Sequence, residues 1–182
     1  MPTISVVIPA YNAASTLSKA IESVLNQDIQ GNPLELIIVD DGSTDRTSEI
    51  AAHYVRTHPD RIRLIAQKNR GPAAARNAGI AAAAGELIAF LDADDQWLPG
   101  KLAAQLSVFM QLPEIALVCT TMNNKRLWGR PTIVRLTFKD LLWFNKVYTS
   151  SVLVKKSALL AVGGFHSQRR LSEDYELWLS IA

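Results

Sequence analysis

Five aspartates stand in two tight groups: Asp40 and Asp41 head the stretch Asp40-Asp41-Gly42-Ser43-Thr44-Asp45, and Asp92, Asp94 and Asp95 share Asp92-Ala93-Asp94-Asp95. Each group directly follows a short apolar run, Leu34 to Val39 in the first case and Leu87 to Leu91 in the second. A third polar segment, Pro9-Ala10-Tyr11-Asn12, follows Ile4 to Ile8 in the same way. Carboxylates gathered at one place repel one another unless a cation or a donor-rich ligand neutralises them. In an extended segment Asp92 and Asp94 would point to the same side and face one divalent cation or one ligand. The Asp40 group has a competing explanation, because Asp-Gly is a turn dipeptide and Ser43 or Thr44 can cap a following helix. The Asp92 group has no glycine and follows a buried-type run, so a plain turn explains it less well.

The opposite charge comes from Asn69-Arg70-Gly71-Pro72-Ala73-Ala74-Ala75-Arg76-Asn77, where Gly71 would open a helix and Arg76 and Asn77 would lie one to two turns inside it. A helix start and an arginine suit a phosphate; the alternative is an alanine-rich packing helix with an exposed arginine. Near the chain end, Glu173-Asp174 stand between Ser172 and Tyr175-Glu176-Leu177-Trp178. Carboxylates in the first turn of a helix interact favourably with its dipole by ~0.3–1 kcal/mol, which would account for the pair without any chemistry.

Other site chemistries fail on spacing. There is no Gly-x-Gly-x-x-Gly, and the Gly100-Lys101 pair has Asp95 and Leu102 where a phosphate loop needs Gly and Ser or Thr. A calcium loop starting at Asp92 would have Trp97 where Gly is required and Ala103 where Glu is required. His53, His58 and His166 form no metal-spaced pair, and no serine sits in a Gly-x-Ser-x-Gly elbow.

The elements that must hold these clusters alternate. Ile4 to Ile8, Leu34 to Val39, Ile62 to Ala66, Leu87 to Leu91 and Ile115 to Thr120 read as strands, and their near-continuous apolar character suits a sheet covered on both faces. Helical patterns run over Ser15 to Asn26, Thr44 to His58, Pro72 to Ala84 and Pro99 to Leu112, two of them opened by proline. Strand and helix in repeated succession predict a mostly parallel α/β sheet in a single domain, with ligands beyond the carboxyl ends of its strands. After a polar, basic loop from Asn123 to Pro131, the pattern predicts a strand over Thr132 to Thr137, a helix over Phe138 to Phe144, a strand over Ser150 to Lys155, a helix over Ser157 to Val162 and a last helix capped by Ser172.

The chain has 182 residues, 48% of them apolar, and 19 Lys plus Arg stand against 17 Asp plus Glu for a net charge of +2. A chain of this size buries roughly 70% of its unfolded surface, enough for a core without disulfides, and the even charge argues against a nucleic-acid partner. The lone Cys119 fits a reducing compartment. The start Met1-Pro2-Thr3 lacks a basic n-region, and the longest apolar stretch, broken by Gly85-Glu86, falls short of the ~18 to 20 residues of a membrane span. The expectation is a cytoplasmic domain without a membrane span of its own, located at the inner face of the membrane in a longer protein.

Taken together, Val6-Val7-Ile8-Pro9-Ala10-Tyr11-Asn12, Ile38-Val39-Asp40-Asp41-Gly42-Ser43-Thr44-Asp45, Asn69-Arg70-Gly71 with Ala75-Arg76-Asn77, and Asp92-Ala93-Asp94-Asp95 with Trp97 and Pro99 resemble the family 2 glycosyltransferases, inverting enzymes of GT-A fold. Ser150 to Val154, Gly163-Gly164-Phe165 and Glu173 to Trp178 resemble that family's acceptor-side strand, turn and base helix. The resemblance implies a nucleoside-diphosphate sugar donor, with a uridine base by analogy, and a carbohydrate or other hydroxyl acceptor. It implies that Pro9, Tyr11 and Asn12 line the nucleotide pocket, that Asp40 accepts from the base with Asp41 close by, and that Arg76 fixes the nucleotide or its phosphates. Asp92 would hold the ribose or the metal shell, Asp94 would ligate Mn²⁺ or Mg²⁺, and Asp174, in preference to Glu173, would be the general base. Residues 1–122 would then form the donor and metal part and residues 123–182 the acceptor part, cut short at Ala182 because family members usually continue. His166-Ser167 depart from the acidic pair often found after the glycine turn. Two other readings stand beside the transferase: a nucleotide- and metal-binding domain with little turnover, and a sugar-phosphate nucleotidyltransferase. The second is disfavoured by the lack of a glycine-rich loop between Pro9 and Leu17.

Overall fold

Strand and helix alternate as the periodicity predicts. The computed structural model describes residues 2–29, 31–121, 136–143, 147–166 and 173–182. The expected loop Asn123–Pro131, residues 132–135 of the expected Thr132–Thr137 strand, and the Ser172 cap lie outside them. Among the described residues the strands are β1 (Ile4–Ala10), β2 (Leu34–Asp40), β3 (Ile62–Ala66), β4 (Leu87–Phe90), β5 (Leu117–Cys119) and β6 (Val152–Lys155). The helices are α1 (Leu17–Leu25), α2 (Thr47–Thr57), α3 (Pro72–Ala82), α4 (Lys101–Gln111), α5 (Phe138–Trp143), α6 (Lys156–Ala161) and α7 (Glu173–Ile181). A 3₁₀ turn, Thr149–Ser151, leads into β6.

Several element ends differ from the sequence pattern by one to three residues, three of them as follows. The second helix starts at Thr47, not Thr44, because Asp45 rather than Ser43 or Thr44 takes its first free amide: the Thr47 N–H donates to Asp45 Oδ1 at 2.9 Å. The expected strand from Ser150 begins at Val152, the residues before it having coiled into the 3₁₀ turn. The expected strand Ile115–Thr120 pairs only over Leu117–Cys119.

The strands form one sheet in the order β3-β2-β1-β4-β6-β5. β1, β2, β3 and β4 pair in parallel, while β6 runs antiparallel between β4 and β5. Both faces are covered, which is why the strands lack a clean apolar-polar alternation. Ile4, Val6 and Ile8 of β1 pack with Leu17, Ile21 and Val24 of α1 and Leu102, Leu106 and Phe109 of α4. On the other face Val7, Ile37 and Val39 pack with Ala73, Ala75 and Ile80 of α3 and with Phe165, Leu177 and Trp178. Phe90, Phe165 and Trp178 meet edge-on or tilted, with ring centroids 5.3–6.4 Å apart, and tie α7 to the sheet.

α3 lies so close on β1 that Gly79 has no room for a side chain: a Cβ there would stand 2.3 Å from Val7 Cγ1. Gly79→Ala is therefore expected to destabilise the fold by about 1–3 kcal/mol, although alanine is the better helix former. Urea unfolding of the two proteins checks this, and an unchanged or raised midpoint would refute the close approach.

Candidate active site

The strand order makes the site. From β1 the chain steps outward to β2 and β3, then returns across the opposite face through α3 to β4 on the other side of β1. A crevice opens at such a reversal, at the carboxyl ends of the strands. β4 stops pairing at Phe90, opposite Val7, and the last bond on that side runs from the Leu91 N–H to the Val7 carbonyl. Pro9, two residues further along, lacks an N–H on the side where β4 has ended, so a proline inside a central strand leaves no broken ladder bond. The segments after β1, β2 and β4 all emerge at this edge, as the sequence predicts.

After β1 and β2 the chain is cross-linked to itself. Asn12 adopts the left-handed conformation, at φ 49°, which asparagine tolerates better than most residues. Its Oδ1 accepts from Thr44 N at 2.8 Å, and its N–H donates to Ser43 Oγ at 3.0 Å. Tyr11 beside it is 52% exposed, a free ring at the mouth of the crevice. Asp40 is buried and its Oδ1 accepts from Ser43 N at 3.0 Å. Asp41, 3% exposed, accepts from Gln67 Nε2, Arg70 N and Gly71 N at 2.6, 2.9 and 2.8 Å. Three donors satisfy a carboxylate that would otherwise be costly to bury. Asp41 thus pins the loop leading into α3, and it occupies two amides at the start of that helix that the sequence suggested for a phosphate.

Arg76 is not the exposed arginine of a packing helix. It is 6% exposed, its Nη2 donates to Asp92 Oδ1 at 2.7 Å, and its guanidinium lies 5.3 Å from the Phe165 ring centroid. The next residue of α3, Asn77, docks on the same Phe165 segment. Its amide exchanges two hydrogen bonds with the Phe165 backbone, Nδ2 to the carbonyl at 2.7 Å and the N–H to Oδ1 at 2.9 Å. Gly164, at φ 74°, permits that docking, since a Cβ there would stand 2.7 Å from Asn77 Oδ1.

The Asp92 segment is a turn, not the extended stretch expected from its sequence: Asp95 N–H donates to the Asp92 carbonyl at 3.0 Å. The physical reason is a set of remote partners. Ser150 Oγ accepts from Asp92 N at 3.0 Å and donates to Asp95 Oδ2 at 2.6 Å, and Trp97 Nε1 donates to the Ser150 carbonyl at 2.7 Å. The turn therefore sorts its carboxylates. Asp92 is paired with Arg76, Asp95 is anchored on Ser150, and Asp94 is exposed with no protein partner among the described residues. The same 3₁₀ turn reaches α7, where Thr149 Oγ1 donates to Asp174 Oδ2 at 3.3 Å. The Asp174 carboxylate is half-buried in the first turn of α7, and its Oδ1 accepts from Tyr175 N at 2.7 Å.

No group of three or more metal-ligating side chains gathers among the described residues. Magnesium-like ions are commonly held by one or two carboxylates together with substrate phosphates and water. Asp94, with Asp92 beside it, fits that donor set. Sequence reasoning missed Thr149, Ser150 and Ser151, which are 6%, 4% and 1% exposed. The available signal was three consecutive hydroxyls at the head of an apolar strand, where solvent-facing residues are not needed.

Below the turn, Lys101 opens α4 with its Nζ 3.9 Å from the Trp97 ring centroid and no hydrogen-bond partner among the described residues. Burial pushes this amine down to about 7 from 10.5. Above about pH 7 the unfolded chain holds a proton that the folded chain has released, so stability gains as pH rises from about 7 toward 10.5. Lys101→Met is expected to stabilise the protein by about 1–2 kcal/mol at pH 7, the lost ring contact offsetting part of the gain, and to flatten that alkaline rise. Urea midpoints at pH 6, 7.5 and 9 test it; equal pH slopes in the two proteins would contradict the assignment.

Two solved structures share this architecture. The mannosyltransferase PcManGT from Pyrobaculum calidifontis, in complex with GDP-Man and Mn²⁺, superposes with a TM-score of 0.78 over 100% of this chain and 52% of its own, at 24% identity. S. aureus TarS 1-349 in complex with UDP superposes with a TM-score of 0.75 over 96% of this chain and 53% of its own, at 20% identity. The fold is that of the GT-A glycosyltransferases. The family model for glycosyl transferase family 2 matches residues 5–170, and the chain belongs to that family. An uncharacterized glycosyltransferase of Haemophilus influenzae is 45% identical over 164 residues, covering 87% of this chain and 64% of its own length. The chain thus spans less than two-thirds of the relatives and structures it matches here. No described helix is long and apolar enough to cross a membrane.

Proposed function

We propose that this domain transfers a hexose from a nucleoside-diphosphate sugar, with UDP as the nucleotide, to a hydroxyl acceptor with inversion at the anomeric carbon. The observation that carries the reading is the sorting of the Asp92–Asp95 turn: two of its carboxylates are held by Arg76 and Ser150, and Asp94 alone is left facing outward at the crevice. Tyr11, Pro9 and the Asn12 cross-link form one wall of the nucleotide pocket, and Asp40, whose carboxylate has acceptor sites beyond the one bonded to the Ser43 amide, accepts from the base. Asp41 acts through the loop it pins. Arg76 sets the Asp92 carboxylate toward the ribose. Asp94, with Asp92, would hold Mn²⁺ or Mg²⁺, which when bound neutralises charge on the departing diphosphate.

Asp174 takes the proton of the acceptor hydroxyl. The acceptor oxygen forms its bond to the anomeric carbon from the face opposite the nucleotide as the bond to the diphosphate oxygen breaks, so one displacement inverts the centre. Thr149 orients the carboxylate from one side and the Tyr175 amide from the other. The cellular role we assign is the assembly of cell-surface polysaccharide or glycoconjugate on the cytoplasmic side, which rests on the family. A screen of nucleotide sugars with carbohydrate acceptors, read as nucleoside-diphosphate release with Mn²⁺ present, tests the reaction. Release above background with one donor supports transfer; metal-dependent UDP binding without release from any donor would leave a nucleotide-binding domain.

A further inference from the structure

Ser150 makes three hydrogen bonds to one segment, residues 92–97, from more than fifty positions away along the chain. Its hydroxyl accepts from the backbone of Asp92 and donates to the carboxylate of Asp95, and its carbonyl accepts from the indole of Trp97. Trp97 is in turn fixed by its own N–H on Ser23 Oγ of α1, at 3.1 Å. The neighbouring Ser151 carbonyl accepts from Gln105 Nε2 of α4 at 2.8 Å and from Thr120 N at 3.2 Å. The 3₁₀ turn is therefore held on the sheet, on α1 through Trp97 and on α4, and a hydroxyl on so fixed a support can dictate the shape of the aspartate turn. At a 2.6 Å bond to Ser150 and inside the turn, Asp95 is used as an anchor. One residue earlier, Thr149 reaches Asp174.

We propose that Ser150 is a positioning residue that, with Asp95 as its counterpart, holds the Asp92–Asp95 turn in the shape that presents Asp94 to a divalent cation on a nucleoside diphosphate, so that Asp95 acts as an anchor and not as a metal ligand. The inference rests on the metal-assisted nucleotide reading given above. Groups that orient a ligating carboxylate are commonly worth 10–100-fold in metal affinity, and that is the scale of effect expected here.

The test is a calorimetric titration of UDP, with and without Mn²⁺, into the unsubstituted protein, Ser150→Ala, Ser150→Thr, Asp95→Ala and Ser150→Ala/Asp95→Ala, with a melting curve for each. Mn²⁺ should strengthen UDP binding by the unsubstituted protein. In Ser150→Ala that enhancement should fall by roughly 10-fold or more while metal-free UDP affinity stays the same, and Ser150→Thr, which keeps a hydroxyl, should restore it. Asp95→Ala should lose no more than Ser150→Ala, which also frees the Asp92 amide, and the double variant no more than Ser150→Ala, because the Ser150–Asp95 bond is common to both changes. Should Ser150→Ala not fold, Ser150→Cys takes its place in the same comparison. An unaltered Mn²⁺ enhancement in Ser150→Ala, an equal loss with and without metal, or additive losses in the double variant would each overturn the inference while leaving the nucleotide site intact. No Mn²⁺ enhancement in the unsubstituted protein would instead overturn the metal reading of the site, and this inference with it.

Discussion

Asp174→Asn is expected to bind UDP as tightly as the unsubstituted protein and to transfer sugar roughly 10²–10⁴-fold more slowly, the range that a positioned general base contributes. The amide is nearly the same size as the carboxylate; its oxygen can still accept from the Tyr175 N–H, and its NH2 can donate to the Thr149 hydroxyl, which rotates to accept, so the first turn of α7 should survive the change. What is lost is the capacity to take a proton. Steady-state kinetics with the donor found in the screen, beside UDP calorimetry, separates the outcomes. A loss of UDP affinity would place Asp174 in the donor site, and undiminished transfer would send the search for a base elsewhere.

Asp94→Ala is expected to abolish the strengthening of UDP binding by Mn²⁺ and to reduce transfer to near background. The side chain is exposed and has no protein partner among the described residues, so its removal should leave the melting temperature within about 1–2 °C of the parent. Asp92→Ala provides the contrast: it takes away a carboxylate bonded to the buried guanidinium of Arg76, which should lower stability as well as binding. Calorimetry with and without Mn²⁺, together with melting curves, checks both. Equal metal enhancement in Asp94→Ala would remove Asp94 from the metal site.

Much of this was legible along the chain. β1 to β4 and the four helices between and after them announce themselves by period and by glycine or proline at their ends, and the polar clusters follow directly from where the strands stop. That the chain belongs to glycosyl transferase family 2 and carries its fold agrees with the resemblance seen in the motifs. The turn at Asp92 was not legible. Its own residues, without a glycine and following a buried-type run, point to an extended stretch, and the decision for a turn came from Ser150, 58 positions away. The helix start at Thr47 was missed for a smaller reason: Asp45 competes with Ser43 and Thr44 as cap, and only Asp45 presents its oxygen to the Thr47 amide.

The sequence by itself determined the alternation of elements, the parallel character of the sheet and the placement of acidic and basic segments at one edge, because periodicity and chain reversal are local properties of the backbone. The tertiary structure decided what each charged group is for. Asp41 was committed to the loop before α3 by donors 26 to 30 residues away, Asp92 to Arg76, Asp95 to Ser150, and Asp174 to Thr149. Asp94 was left over. A carboxylate's role follows from which donors satisfy its oxygens, and here those donors come from other elements of the fold, so five similar aspartates could be told apart only once the sheet had brought their partners to them.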